Sequence, residues 1–408
     1  MAEPKYGKII LRYCNIEGGE RMSDLNEIIF SEIVDVVEEF DYDTQCEQYN
    51  RFFKNWRKNK QNPFAFNFEM NKKESVYIEG RGFKVPSVAD AESAVIGSIM
   101  NVFGIAMLMW IFIDNILGKV IIEILDKLGV NIHCNFLSTD LYGGEKERVI
   151  AIVGISIIKV IIPAIYLIAK LKIPKPVRFM NVMNHPEELI RSIAMALAVG
   201  TVTSLPKIYT DKGSQQIYSY FMKLDTDIST WGQAEFLIYI IYDTIVISIL
   251  LGIFYNGAVF AALRQFGDGF AIGITALVAG ILSHDIAEMP AAIFITIIAS
   301  CGMLRSGSIY TAFFVRIAYK LYVFAIAIIE ANDSSTTYLD KNFFMLAVFV
   351  ISGLVVGLSQ ILIPKRTFYA DYVSEVPNNK RVRFAIRAYP FPAVTLVCIL
   401  AMILKQVF

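Results

Sequence analysis

The chain has 408 residues, 55% of them hydrophobic and 19% charged, which excludes an ordinary soluble enzyme of this length. Lysine plus arginine and aspartate plus glutamate number 38 each, so the formal charge is zero and no broad basic face awaits nucleic acid. The five cysteines, Cys14, Cys46, Cys134, Cys301 and Cys398, stand far apart, so neither a disulfide framework nor a metal site is expected, and no cofactor is implied.

Charges crowd into the N-terminal stretch, and residues 1–92 read as a polar cytosolic segment. Ser23 to Phe40 and Asp43 to Lys58 have the pattern of two helices. Ile29, Phe30 and Ile33 form an apolar face on one, and Phe52, Phe53 and Trp56 on the other. Lys8 to Tyr13 and Phe64 to Phe68 are candidate short strands. The aromatic faces suit docking either onto a partner protein, membrane-bound or cytosolic, or onto the chain's own membrane domain.

That domain occupies residues 93–408 and is expected to be all-α, with the lipid bilayer as its principal partner. A span needs roughly 20 apolar residues to cross about 30 Å of hydrocarbon. Runs near Ser93–Ile113, Val149–Lys170, Leu189–Leu205, Gln233–Asn256, Phe270–Ala287, Pro290–Met303, Ser308–Ile329, Asn342–Ile363 and Phe391–Val407 give eight or nine spans, since Pro290–Met303 and the last are short. No signal peptide precedes the first run, which serves as both targeting signal and first span. Between the first two spans, Lys119 to Leu128 mixes Ile121, Ile122 and Leu125 with Lys119, Glu123 and Asp126, the pattern of a helix lying in the interface. Lys170, Lys172, Lys175, Arg178 and Arg191 fall on one side of a nine-span topology with Lys365, Arg366, Lys380, Arg381, Arg383 and Arg387. Asp211, Asp225, Asp227, Glu330, Asp333 and Asp340 fall on the other. The positive-inside rule then puts the N-terminus in the cytosol and the C-terminus outside. The Ile-, Lys- and Asn-rich flavour suits the cell membrane of a low-GC bacterium.

Polar residues inside spans are expensive and mark function by default. Three segments qualify: Leu251-Gly-Ile-Phe-Tyr-Asn256 running on to Gly267, Ala279-Gly-Ile-Leu-Ser-His284, and Arg305-Ser-Gly-Ser-Ile-Tyr running on through Arg316 to Lys320. In order and spacing they resemble the CPBP family, the intramembrane glutamic proteases that include CaaX prenyl endopeptidases and bacteriocin-processing or immunity proteins. The resemblance covers about 249–324, with a family-like core over 233–329. It is strongest at Gly257-Ala-Val-Phe, Phe266-Gly267 and Arg305-Ser-Gly-Ser-Ile-Tyr.

The resemblance implies that the family's Glu-Glu-x-x-x-Arg motif falls on Leu251, Gly252 and Asn256, so both carboxylates and the arginine are replaced. The Phe-x-x-x-His motif falls on Gly280 and His284 and keeps its histidine; the His-x-x-x-Asn motif falls on Arg316 and Lys320. In the family a glutamate and a histidine activate water while the other pair holds the oxyanion, chemistry that needs a tuned base and preorganised donors. Leu251 and Gly252 supply no base. His284 is the one retained catalytic position, and a hydrogen-bonded core histidine is its plainer reading. Glu187-Glu188-x-x-Arg191 imitates the missing motif but is one residue short, and it reads as helix-start chemistry after Pro186.

Arg316 and Lys320 share a helix face. Their candidate counter-charges are Asp243, Asp285 and Glu288. At 1.5 Å rise per residue, Asp243 and Lys320 lie at similar depths, roughly 15 and 13 Å from the outer boundary, so an ion pair between them is expected. Three functions are compatible with these residues: a pseudoprotease acting as scaffold, regulator or immunity-type binding protein; an active intramembrane endopeptidase with an atypical site around His284; or a transporter or lipid-handling protein whose cations bind an anion.

Overall fold

A computed structural model describes residues 47–58, 62–65, 76–78, 82–84, 88–134, 141–180, 183, 185–204, 232–283, 286, 288–331, 337–362 and 378–407. All of these lie in one unit of the chain, Val37–Phe408. The expected helix from Ser23, the strand at Lys8, and the acidic loops at Asp211 to Asp227 and at Asp333 fall outside the described residues. Within hydrocarbon a backbone must bond to itself, and these apolar runs do so as helices.

Helix α1, Glu47–Lys58, is followed by a short hairpin of strands β1 (Val76–Ile78) and β2 (Gly82–Lys84). The expected strand over Phe64 to Phe68 begins instead in a turn at Phe64 and Ala65. Helix α2, Val88–Phe112, passes through a π-helical turn at Ile113–Leu117 into α3, Gly118–Lys127. Glu92–Lys127 is thus one rod of 36 residues. The stretch expected to lie separately in the interface therefore extends the first span. No break intervenes, because Gly118 keeps right-handed helical angles. Such a rod is about 54 Å long, against about 30 Å of hydrocarbon, so its far end passes the apolar layer.

Strands β3 (Ile132–Cys134) and β4 (Leu141–Gly143) pair antiparallel and cover the start of α4, Glu145–Leu171. Glu145 and Glu147 in the first turn of α4 and Lys170 in its last match the helix dipole. After the short α5, Lys175–Arg178, come α6 (Pro186–Ser204) and a rod built of α7 (Gln233–Ile241), a π-helical turn at Tyr242–Val246, α8 (Ile247–Gly252), a π-helical stretch at Ile253–Phe260 and α9 (Ala261–Leu263). A short 3₁₀ turn ends this rod at Phe266, and Gly267, at φ +107°, turns the chain into α10, Asp268–Ile281. Helices α11 (Met289–Ser306), α12 (Ile309–Ala331), α13 (Thr337–Leu362), α14 (Asn378–Arg387) and α15 (Phe391–Val407) complete the chain. Gly307, left-handed at φ +76°, caps α11 and sets off α12.

Among the described residues, six helices are long and apolar enough to cross a membrane, or seven if α14 and α15, bent by 84°, count as one broken span. The expected nine is not reached on this measure, for two physical reasons. α6 opens with Glu187, Glu188 and Arg191, and α10 has only 14 residues. Both pack closely on other helices: α6 on α11, α12 and α13, and α10 on α11. Such helices need neither full length nor uniform apolarity. By contrast α13 exposes Phe343, Leu346, Ile351, Leu354 and Ile361, an apolar flank suited to acyl chains.

Buried ion pairs and aromatic anchors gather at one end of the bundle. Arg264, fully buried, donates from Nε to Asp268 at 2.8 Å and from Nη1 to the Tyr49 hydroxyl at 2.7 Å. Trp56 Nε1 donates to the carbonyl of Leu171, and Gln265 Nε2 to that of Phe64. Tyr49, Phe53 and Trp56 join the main apolar core, so of the two docking sites left open for α1, it takes the chain's own membrane bundle. The basic stretch expected as a loop before the last span forms α14, whose Arg381 donates to Glu92 at 2.9 Å with both side chains buried. Glu188 meets Arg191 at 3.4 Å and Arg305 at 3.9 Å, in keeping with helix-start chemistry. Close helix crossings complete the packing: a Cβ on Gly104 would lie 2.7 Å from the backbone nitrogen of Phe391, which sets how near α15 approaches α2.

Candidate functional site

The rod from Gln233 to Phe266 presents its polar residues to α11 and α12 from its two π-helical stretches. A π-helical turn admits an extra residue and rotates the helix beyond it, which often marks a working part of a helix. Asn256 stands in the second stretch, buried, and its Nδ2 donates to Ser300 Oγ of α11 at 2.9 Å. Arg316 of α12 donates from Nη2 to Asn256 Oδ1 at 3.3 Å and to Thr296 Oγ1 at 3.2 Å. Its guanidinium carbon lies 5.1 Å from the centroid of the Tyr255 ring, within cation–π range. One cation, an amide, two hydroxyls and a ring face thus form a polar cluster inside the helices.

Gly252 lies one turn away. A Cβ there would come within 2.4 Å of the Phe313 ring, so the aromatic side chain of α12 occupies the space beside position 252. Leu251, partly buried, packs against the main core. Gly252, Asn256 and Arg316 therefore converge between the same two helices. Gly280 does not join them: its α-carbon faces Ile293 and Met289 of α11. His284 and Asp285 lie outside the described residues. Glu288 stands at the N-terminus of α11 and acts electrostatically on Tyr319 of α12.

The contact expected from depth counting is present. Lys320 Nζ donates to both carboxylate oxygens of Asp243, at 3.0 and 3.2 Å, from α12 to the first π-helical turn of the rod. Both side chains are about one-third exposed, at 35% and 31%, so the pair sits on the flank of the bundle. Arg316 departs from expectation. Its partners are an amide, a hydroxyl and a ring, and among the described residues it pairs with none of the proposed carboxylates. Among the described residues, the expected counter-charges therefore yield one pair, Asp243–Lys320, beside a cluster in which Arg316 has neutral partners.

Sequence reasoning missed Thr296 and Ser300, whose hydroxyls sit in a run that reads as plain span, and gave no role to Tyr255 within the segment it singled out. It also missed Lys159, which bonds Asp114 at 2.9 Å across α4 and the first π-helical turn. There the signal was legible, since Lys159 interrupts an otherwise apolar stretch. Among the described residues no group of three or more His, Cys, Asp or Glu could hold a metal ion. In comparisons with known proteins, no family model, no curated protein and no solved structure matches this chain.

A double-mutant cycle on Asp243→Asn and Lys320→Met, read as thermal stability in detergent, should give a coupling of about 1 kcal/mol. Additive effects of the two substitutions would show that the contact contributes nothing.

Proposed function

We propose that this integral membrane protein is non-catalytic: a bundle on the plan of the intramembrane glutamic proteases whose former reaction centre now holds another membrane component instead of cutting it. The observation that carries the reading is the state of position 252. Water activation needs a carboxylate base with room to face its substrate. Here Leu251 and Gly252 offer no base, and the Phe313 ring fills the adjoining space. Where two neutral oxyanion donors would stand, Arg316 is turned onto Asn256 and Thr296, and Lys320 is committed to Asp243. Such an arrangement keeps donors and a charge but no acid–base pair, which suits recognition more than turnover.

The gathering of Arg57, Arg178, Arg264, Arg305 and Arg381 supports placing that end, together with α1, on the cytosolic side. In whole cells, a membrane-impermeant thiol reagent should then label Lys127→Cys and spare Lys175→Cys in a chain whose own cysteines are replaced by serine. The reverse pattern would invert the orientation.

The activity test uses the full chain in proteoliposomes with prenylated and unmodified membrane peptides. No peptide should be cut by the parent chain or by His284→Ala. Cleavage by the parent that His284→Ala abolishes would overturn the non-catalytic reading.

A further inference from the structure

Arg316 is a buried cation for which no opposing carboxylate stands among the described residues. Arg264 has Asp268, Arg381 has Glu92 and Lys159 has Asp114, each within 2.9 Å. Among the described residues, the partners of Arg316 are neutral. We infer that Arg316 is the recognition group of an oxyanion site inside the bundle, one that takes the carboxylate or phosphate of an amphiphile dissolved in the bilayer.

Three observations support the assignment. First, the guanidinium is only partly bonded. A guanidinium has five N–H donors; both hydrogen bonds described for Arg316 leave from Nη2, and Nε is buried with no partner. A buried donor left unmade is a penalty that a bound oxyanion removes. Second, an unpaired cation in hydrocarbon is expensive enough that such residues are retained for ion or ligand handling. Asn256, Thr296 and the Tyr255 ring disperse the charge but do not neutralise it. A bound oxyanion supplies the missing charge and forms a charge-assisted hydrogen bond with Nε.

Third, the cluster lies beside an apolar flank of the bundle. Arg316 is buried, with 7% of its surface left. One turn along the same face, the Asp243–Lys320 pair lies at the flank of the bundle, where Ile238, Ile241, Ile245 and Leu321 are exposed. Those apolar neighbours suit an acyl chain lying alongside α7 and α12 while its head reaches inward. Lys320 is already neutralised by Asp243, which leaves Arg316 as the cation with a valence to fill.

The inference rests on the non-catalytic reading of the site. Its test is the melting of the detergent-solubilised full chain with oleate, oleyl phosphate, oleyl alcohol, acetate or inorganic phosphate. Oleate and oleyl phosphate should raise Tm and oleyl alcohol should not. Arg316→Gln should lose the rise, whereas Lys320→Gln should keep most of it. A rise with acetate or inorganic phosphate equal to that of the oleyl compounds would keep the oxyanion site and assign its ligand to the aqueous phase. An undiminished rise in Arg316→Gln, equal rises with oleate and oleyl alcohol, or no response to any of the five probes would overturn the proposal. If Arg316→Gln does not fold, a diazirine-bearing fatty acid photo-crosslinked to the parent chain answers the question. Adducts within 251–256 or 313–320 support the site, and adducts confined to α13 sink it. His284-dependent cleavage would sink the non-catalytic reading whatever the melting shows; absent cleavage together with absent melting shifts would sink the oxyanion site alone.

Discussion

A charge carried into a helix bundle must meet an opposite charge or be dispersed over dipoles, and that constraint organises the interior of this protein. Three cross-helix polar contacts reach the three π-helical stretches of the described chain. Lys159 meets Asp114, Lys320 meets Asp243, and Arg316 meets Asn256. In each, a cation on one helix finds its acceptor where the partner helix widens. A π-helical turn shifts the phase of the residues beyond it, so one rod can aim polar groups in directions that a regular helix would not allow. The first two acceptors are carboxylates and the third is an amide, the difference on which the oxyanion site inferred at Arg316 rests.

The close crossings reinforce this arrangement. Gly252 lets the Phe313 ring press onto α8, and Gly302 brings α11 against Ser192 and Thr311. With helices this near, Asn256, Thr296, Ser300 and Arg316 occupy a packed junction and not an open cleft. α1 holds the other end of the same rod by bonding Tyr49 to Arg264, so a segment outside the bundle contacts the helix that carries Asn256 and Asp243. The rod is thereby fixed at its basic end and carries polar groups at its two π-helical stretches.

Much of this was legible in the sequence, and the failures have physical causes. The Asp243–Lys320 contact followed from depth alone, because a constant rise per residue holds along both helices. Arg316 was read as a partner for acids because only formal charges stand out in an apolar run. The hydroxyl of Thr296 looks ordinary there, and the π-helical stretch turns Asn256 by an amount that a 3.6-residue period does not supply. The span count is not confirmed at α6 and α10, since the first opens with charges and the second is short, although both pack closely on neighbouring helices. The aromatic face of α1 was visible, but its destination depends on Arg264, which is fully buried.

The central claim is that Arg316 is held at a sacrifice of stability because it serves binding. Replacing a buried ion by a well-packed apolar side chain is often neutral or stabilising, whereas breaking a structural pair loses about 3–5 kcal/mol. The most direct measurement is the thermal melting of Arg316→Met beside the parent chain, without added ligand. A melting temperature equal to or above that of the parent is the predicted result. A fall of the size expected for a broken structural pair would show that the guanidinium holds the helices together, and would contradict the claim.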